Sequence, residues 1–153
     1  MKFSLTKLMA AFGNPKAMEK VYVDTYTEEI INSIEQQPFA ISNHNVCYAA
    51  TNELAGYYFL QTVIVGKFKV KTFKGAQLTV IGYDFELELE SDMMELESEY
   101  SNVSDRYITR IDFVLDENDV PKMDKSSIKS LVLSAKKENV EFSIVQLIEE
   151  EEE

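Results

Sequence analysis

Gly66-Lys67-Phe68-Lys69-Val70-Lys71-Thr72-Phe73-Lys74-Gly75, continued through residues 76–82 into Tyr83-Asp84-Phe85-Glu86-Leu87-Glu88-Leu89-Glu90, constrains local structure more tightly than any other part of the chain. Lys67, Lys69 and Lys71 alternate with Phe68, Val70 and Thr72, the period of two of a strand with one wet and one packed face. Lys74-Gly75 supplies a turn. After it, Asp84, Glu86, Glu88 and Glu90 share one face while Tyr83, Phe85, Leu87 and Leu89 share the other. Residues 66–92 therefore read as one long β-hairpin. Within its second arm the apolar positions change parity at Gly82, from Leu78 and Val80 to Tyr83 and Phe85. A regular strand cannot do this and keep one buried face, which predicts a bulge or sharp bend at Gly82.

Working outward, period two also governs Val46, Tyr48 and Ala50, the near-continuous apolar run over 57–65, and Tyr107, Thr109, Ile111, Phe113 and Leu115. Residues 93–100 suit either a short helix or a strand, and Asp116 to Asp119 with Pro121 breaks the strand before it. Over 126–147 a helix followed by a strand competes with a hairpin. The alternation of Leu131, Leu133 and Ala135, then Val140, Phe142 and Ile144, favours the hairpin, turning at Lys137-Glu138-Asn139.

The N-terminal third has a different period. Leu5, Leu8, Met9 and Phe12 lie at helical spacing before Gly13-Asn14-Pro15, and Thr25 and Glu28 have capping-box spacing ahead of Ile30, Ile31 and Ile34. The spacing predicts helices over 4–12 and about 26–36, with a short strand at Val21-Tyr22-Val23. The expected class is α+β, mainly antiparallel β: two short N-terminal helices preceding a meander-like or partly closed sheet of about six strands. One domain is expected over 1–148, and the five glutamates at 149–153 repel one another as a solvated tail.

At 153 residues, a globule can bury roughly 70% of the surface its unfolded chain exposes, enough for a core without staples. Fifteen basic against 27 acidic residues leave a formal charge of −12, so binding to nucleic acid or an anionic membrane works against long-range repulsion. The longest apolar stretch, 54–65, contains Gln61 and falls far short of the ~20 residues that span a bilayer. Cys47 is the only cysteine and forms no intramolecular disulfide, which favours the cytoplasm. No secretory leader is expected, because Lys7 interrupts the first apolar run.

Candidate chemistry is sparse. His44 and Cys47, the sole imidazole and thiol, invite a nucleophile-and-base reading, but a lone Cys between Val46 and Tyr48 is more often a small buried hydrophobe. Two such ligands do not make a zinc site. Asp116-Glu117-Asn118-Asp119 with Asp124 lacks the spacing of a calcium loop, since Val120 and Pro121 occupy its fifth and sixth positions. Glu86, Glu88 and Glu90 read as a solvated face rather than an acid-base pair, and the five glycines are scattered singly, so no phosphate loop is formed.

The expectation is a non-enzymatic protein-interaction or assembly domain without metal or cofactor. It would bind another protein, or itself as a homodimer, through an open edge of its sheet or through Leu5, Leu8, Met9 and Phe12. The alternatives are an acidic antagonist, meaning an immunity-type inhibitor or nucleic-acid mimic that binds a basic partner through Asp84, Glu86, Glu88 and Glu90, and an enzyme whose site is not visible in sequence. The acidic row itself is expected to be structural, with the second arm lying between the Lys67, Lys69, Lys71 strand and the Arg106, Arg110 strand, where opposite charges pair.

Overall fold

The computed structural model describes residues 37–101 and 106–145. The expected helices over 4–12 and 26–36, the strand at 21–23, the stripe Leu5, Leu8, Met9, Phe12 and the glutamate tail lie outside the described residues. Eleven strands follow one another: β1 Ala40–Ile41, β2 Asn45–Leu54, β3 Tyr57–Gly66, β4 Lys71–Thr72, β5 Gln77–Gly82, β6 Glu86–Glu90, β7 Leu96–Glu97, β8 Glu99–Ser101, β9 Arg106–Leu115, β10 Ile128–Ala135 and β11 Glu138–Ile144. Nine make one antiparallel sheet in the order β6-β5-β10-β11-β1-β2-β3-β9-β8, and β4 pairs with β7 in a separate ribbon.

The sheet curls into a half-barrel. Just past β6, Ser91 pairs with Phe113 of β9, and the Asp92 amide donates to the Asp112 carbonyl at 2.8 Å. This joint brings the two ends of the sheet together around an interior that holds Leu60, Ile64, Ile111, Phe113, Leu131 and Phe142. Ile41, Val46 and Tyr48 are also buried but do not belong to that cluster. They alternate with Ala40 and Cys47, which do, so β1 and the first four residues of β2 are packed on both faces, while β2 is exposed beyond Ala49.

The class read from the sequence needs correction. The described chain is mainly antiparallel β with nine strands in one sheet, not a six-strand sheet behind two helices. Its helical segments are 3₁₀ turns at Glu117–Met123 and Lys125–Ser127. The strand count fell short because β1, β4 and β7 have two residues each and β8 three, too short to show a period.

The long hairpin over 66–92 is likewise three separate strands. Lys71 and Thr72 pair with Glu97 and Leu96, whereas β5 pairs with β6 around the two-residue turn Tyr83-Asp84. The parity change at Gly82 belongs to that reversal. Leu78 faces Leu89 and Val80 faces Leu87, so inward residues that are even in β5 are odd in β6. The register shift lies opposite, in β10, where Ile128 pairs with Gly82 but Ser130 with Ile81, leaving Lys129 as the extra residue. That insertion carries the buried positions of β10 from Ile128 to Leu131 and Leu133.

Other readings match the structure. Residues 107–115 form one strand with Thr109, Ile111, Phe113 and Leu115 buried. The β10–β11 hairpin also forms, but it turns at Lys136-Lys137, one residue earlier than expected, because Glu138 and Asn139 already pair with Ala135 and Ser134. Among the described residues no helix is long and apolar enough to cross a membrane.

Candidate functional site

The segment leaving β3 is held by buried polar groups. At Gly66 a Cβ would meet the His44 carbonyl oxygen and, at 2.8 Å, the Asn45 Cα, so glycine permits the chain to turn closely over the start of β2. The Phe68 amide donates to Asn45 Oδ1 at 2.8 Å, and Asn45 Nδ2 donates to Ser42 Oγ at 3.2 Å. Farther on, the Val70 amide donates to Ser98 Oγ at 2.9 Å while the Val70 carbonyl accepts from the Ser98 amide at 2.9 Å. The Ala76 amide donates to Ser91 Oγ at 3.0 Å. Phe68, Val70 and Leu96 meanwhile join the interior cluster.

Period two then turns Lys69, Lys71 and Phe73 outward while Val70 and Thr72 are buried. Across from them stands the β10–β11 turn, in which Lys136 adopts φ 56°. Between the two runs a groove of about 1010 Å³, with Lys69, Lys71 and Lys74 on one side and Lys136 and Lys137 on the other. Phe73, 69% exposed, lies among them. Lys69 Nζ stands 5.5 Å from the centre of the Tyr107 ring, a cation–π contact that restrains it. Among the described residues Glu138 is the sole acid lining the groove.

These five cations are nearly half of those in the described chain, the others being Lys67, Arg106, Arg110, Lys122, Lys125 and Lys129. On a protein of net charge −12 they form a local field of opposite sign. Chemically the groove offers a mainly apolar wall of lysine stems, Val70 and Phe73, with five ammonium groups and one carboxylate belonging to its lining residues. That set holds an anion by charge, without the bidentate forks that arginine would bring.

The acidic row lies elsewhere. Asp84 is in the β5–β6 turn, and Glu86, Glu88 and Glu90 are exposed on β6, at the edge of the large sheet. Their cross-strand neighbours are Ile81, Thr79 and Gln77, with Gln77 Nε2 donating to Glu88 Oε1 at 3.4 Å. The lysine segment does not flank β6, and β9 meets it only past its end, at Ser91 and Asp92. Among the described residues Glu86, Glu88 and Glu90 form no ion pair, so the expected cross-strand pairing is not what the row does. Charges on an edge strand have another use: they oppose pairing with a second edge.

Cys47 is 2% exposed and its Sγ donates weakly to the Tyr48 carbonyl at 3.9 Å. Burial pushes its thiol up from 9.0 to about 12, so it is not an activated nucleophile. Burial also raises the Tyr48 hydroxyl from 10.0 to about 12, partly opposed by Arg106. Both groups hold their protons more tightly folded than unfolded. Their contribution is complete below the unfolded values and is lost as pH rises toward the folded ones. Unfolding midpoints in denaturant should hold steady up to pH 9 and fall above it, and Cys47→Ala should delay that fall until Tyr48 begins to titrate near pH 10. Identical profiles for the two proteins would contradict this.

Within the acidic run after β9, Asp116, Asp119 and Asp124 act as caps or partners. Asp116 Oδ1 accepts from the Asn118 amide, Asp124 Oδ1 from the Ser126 amide, and Asp119 pairs with Lys122 at 2.9 Å. The sequence reading missed the groove because its two walls are separated by more than sixty residues. Its lysines read there as a strand's wet face and as turn residues. Compared with known proteins, the chain matches no family model, no curated protein and no solved structure.

Proposed function

We propose that the protein is a non-catalytic interaction module of the cytoplasm that captures an anionic partner in its lysine-lined groove. The observation that carries this reading is the convergence of Lys69, Lys71, Lys74, Lys136 and Lys137 on one groove of an otherwise acidic chain. Attraction of this kind is screened by salt, with a Debye length of ~8 Å at physiological ionic strength, so capture should weaken as salt rises. Reversing Lys71, Lys136 and Lys137 to Glu should reduce binding to immobilised polyglutamate or heparin by roughly tenfold or more and flatten its salt dependence. Unchanged retention of the reversed protein would reject the groove as the site.

A second reading, the acidic antagonist, draws on Glu86, Glu88 and Glu90, which are exposed and form no ion pair among the described residues. The triple change of these residues to Gln separates the two. It should leave polyanion binding by the groove intact, whereas loss of a single salt-sensitive partner from cell extract would favour the antagonist.

A further inference from the structure

The Val70 amide and carbonyl both engage Ser98, on the side of β4 that faces β7. Successive backbone groups of an extended chain point to opposite sides. The amides and carbonyls of Lys69, Lys71 and Phe73 therefore face away from β7. The ribbon has two strands, and among the described residues no strand pairs with this outer edge of β4. Residues 69–74 also form one wall of the groove. An open strand edge and a row of lysines thus border the same space.

We infer that the groove takes an extended acidic polypeptide segment, which adds to the β4 edge as a third strand of the β4–β7 ribbon. This rests on the reading of the groove as an anion site and specifies its occupant. A strand edge presents donors and acceptors in alternation, and a second peptide backbone satisfies both. A phosphodiester backbone only accepts, so it would leave the edge carbonyls without donors. A nucleic acid would also carry its charge past the groove onto a surface where acids outnumber bases. In an added strand, the side chains that lie across from Lys69, Lys71 and Phe73 are alternate residues on one face, so an acidic row pairs with the two lysines while the aliphatic stem of the next acid packs on the Phe73 ring.

The test uses the full chain and three probes: a blocked peptide of about eight residues alternating Glu and Val, the same peptide N-methylated at alternate residues in either of the two possible sets, and an oligothymidylate of equal charge. Titration calorimetry at low salt reads the affinities. Methylation of one set should weaken binding by roughly tenfold or more while the other set has little effect, because only one edge of the added strand meets β4. The oligothymidylate should bind roughly tenfold more weakly than the unmodified peptide. Insensitivity to both methylated sets, or equal affinity for the oligothymidylate, would overturn the strand-addition inference and leave the anion site standing. Failure of all three probes to bind would overturn both. A protein that sediments as a dimer until the peptide disperses it would identify a second copy as the occupant in place of a separate partner.

Discussion

Phe113→Ala is expected to cost about 3–5 kcal/mol of folding stability, the range for deleting a large buried aromatic side chain. Phe113 is fully buried in β9, pairs with Leu60 of β3 on one side and bridges to Ser91 on the other. It thus stands where the two ends of the curled sheet meet. Truncation removes its packing and leaves a cavity at a joint held by few backbone bonds, so relaxation there should open the sheet rather than refill the core. Against a typical domain stability of 5–15 kcal/mol, this is a large fraction. Chemical denaturation measures it, with Phe113→Leu as the milder control. A cost below about 1 kcal/mol would mean that the joint is not packed as described.

Gly66→Ala is expected to be nearly as damaging, about 3 kcal/mol, for a different reason. The added methyl meets the carbonyl of His44, just before β2, and the Cα of Asn45, the first residue of β2 and the partner of Gly66 itself, so relief requires moving the β2–β3 pair. Gly56, in the Ala55-Gly56 turn, is the control. Its φ is 86° but a Cβ there has open space, so alanine costs only the backbone conformation, about 1–2 kcal/mol. The two variants should also differ in function. Gly66 sets the exit of the segment that carries Lys69, Lys71 and Lys74, so Gly66→Ala should disturb anion binding even where the protein remains folded, and Gly56→Ala should not. Equal stability losses would indicate that the close approach at Gly66 is unimportant.

What was legible in the sequence follows from how far apart the interacting residues lie. The β9 and β10–β11 strands were readable because each carries its own alternation over seven residues or more. The β2–β3 pair was readable because a short alternation at Val46, Tyr48 and Ala50 leads into a near-continuous apolar run over 57–65, although β2 is buried throughout 45–48 and exposed beyond Ala49. Their partners lie close in sequence or share the same periodic face. The acidic row was equally readable as exposed, since Glu86, Glu88 and Glu90 alternate with Leu87 and Leu89. Its neighbours were not, because alternation says nothing about which strand lies beside it. The same ambiguity turned 66–92 into one hairpin: Lys71 and Thr72 alternate as a strand does, but their partners Glu97 and Leu96 lie beyond β6. Lys136-Lys137 reads as an ordinary polar turn until folding sets it across from Lys69, Lys71 and Lys74. The net charge, −12, summed over the chain, hid a basic groove that only the three-dimensional arrangement assembles.

The central claim is that this groove, and not the acidic edge, meets the partner. It is tested most directly by an amide chemical-shift titration of the full ¹⁵N-labelled chain with short polyglutamate at low salt. Saturable shifts should concentrate in residues 69–74 and 136–138 and disappear when Lys71, Lys136 and Lys137 are reversed to Glu. Shifts that fall elsewhere, or that survive the reversal, would contradict it.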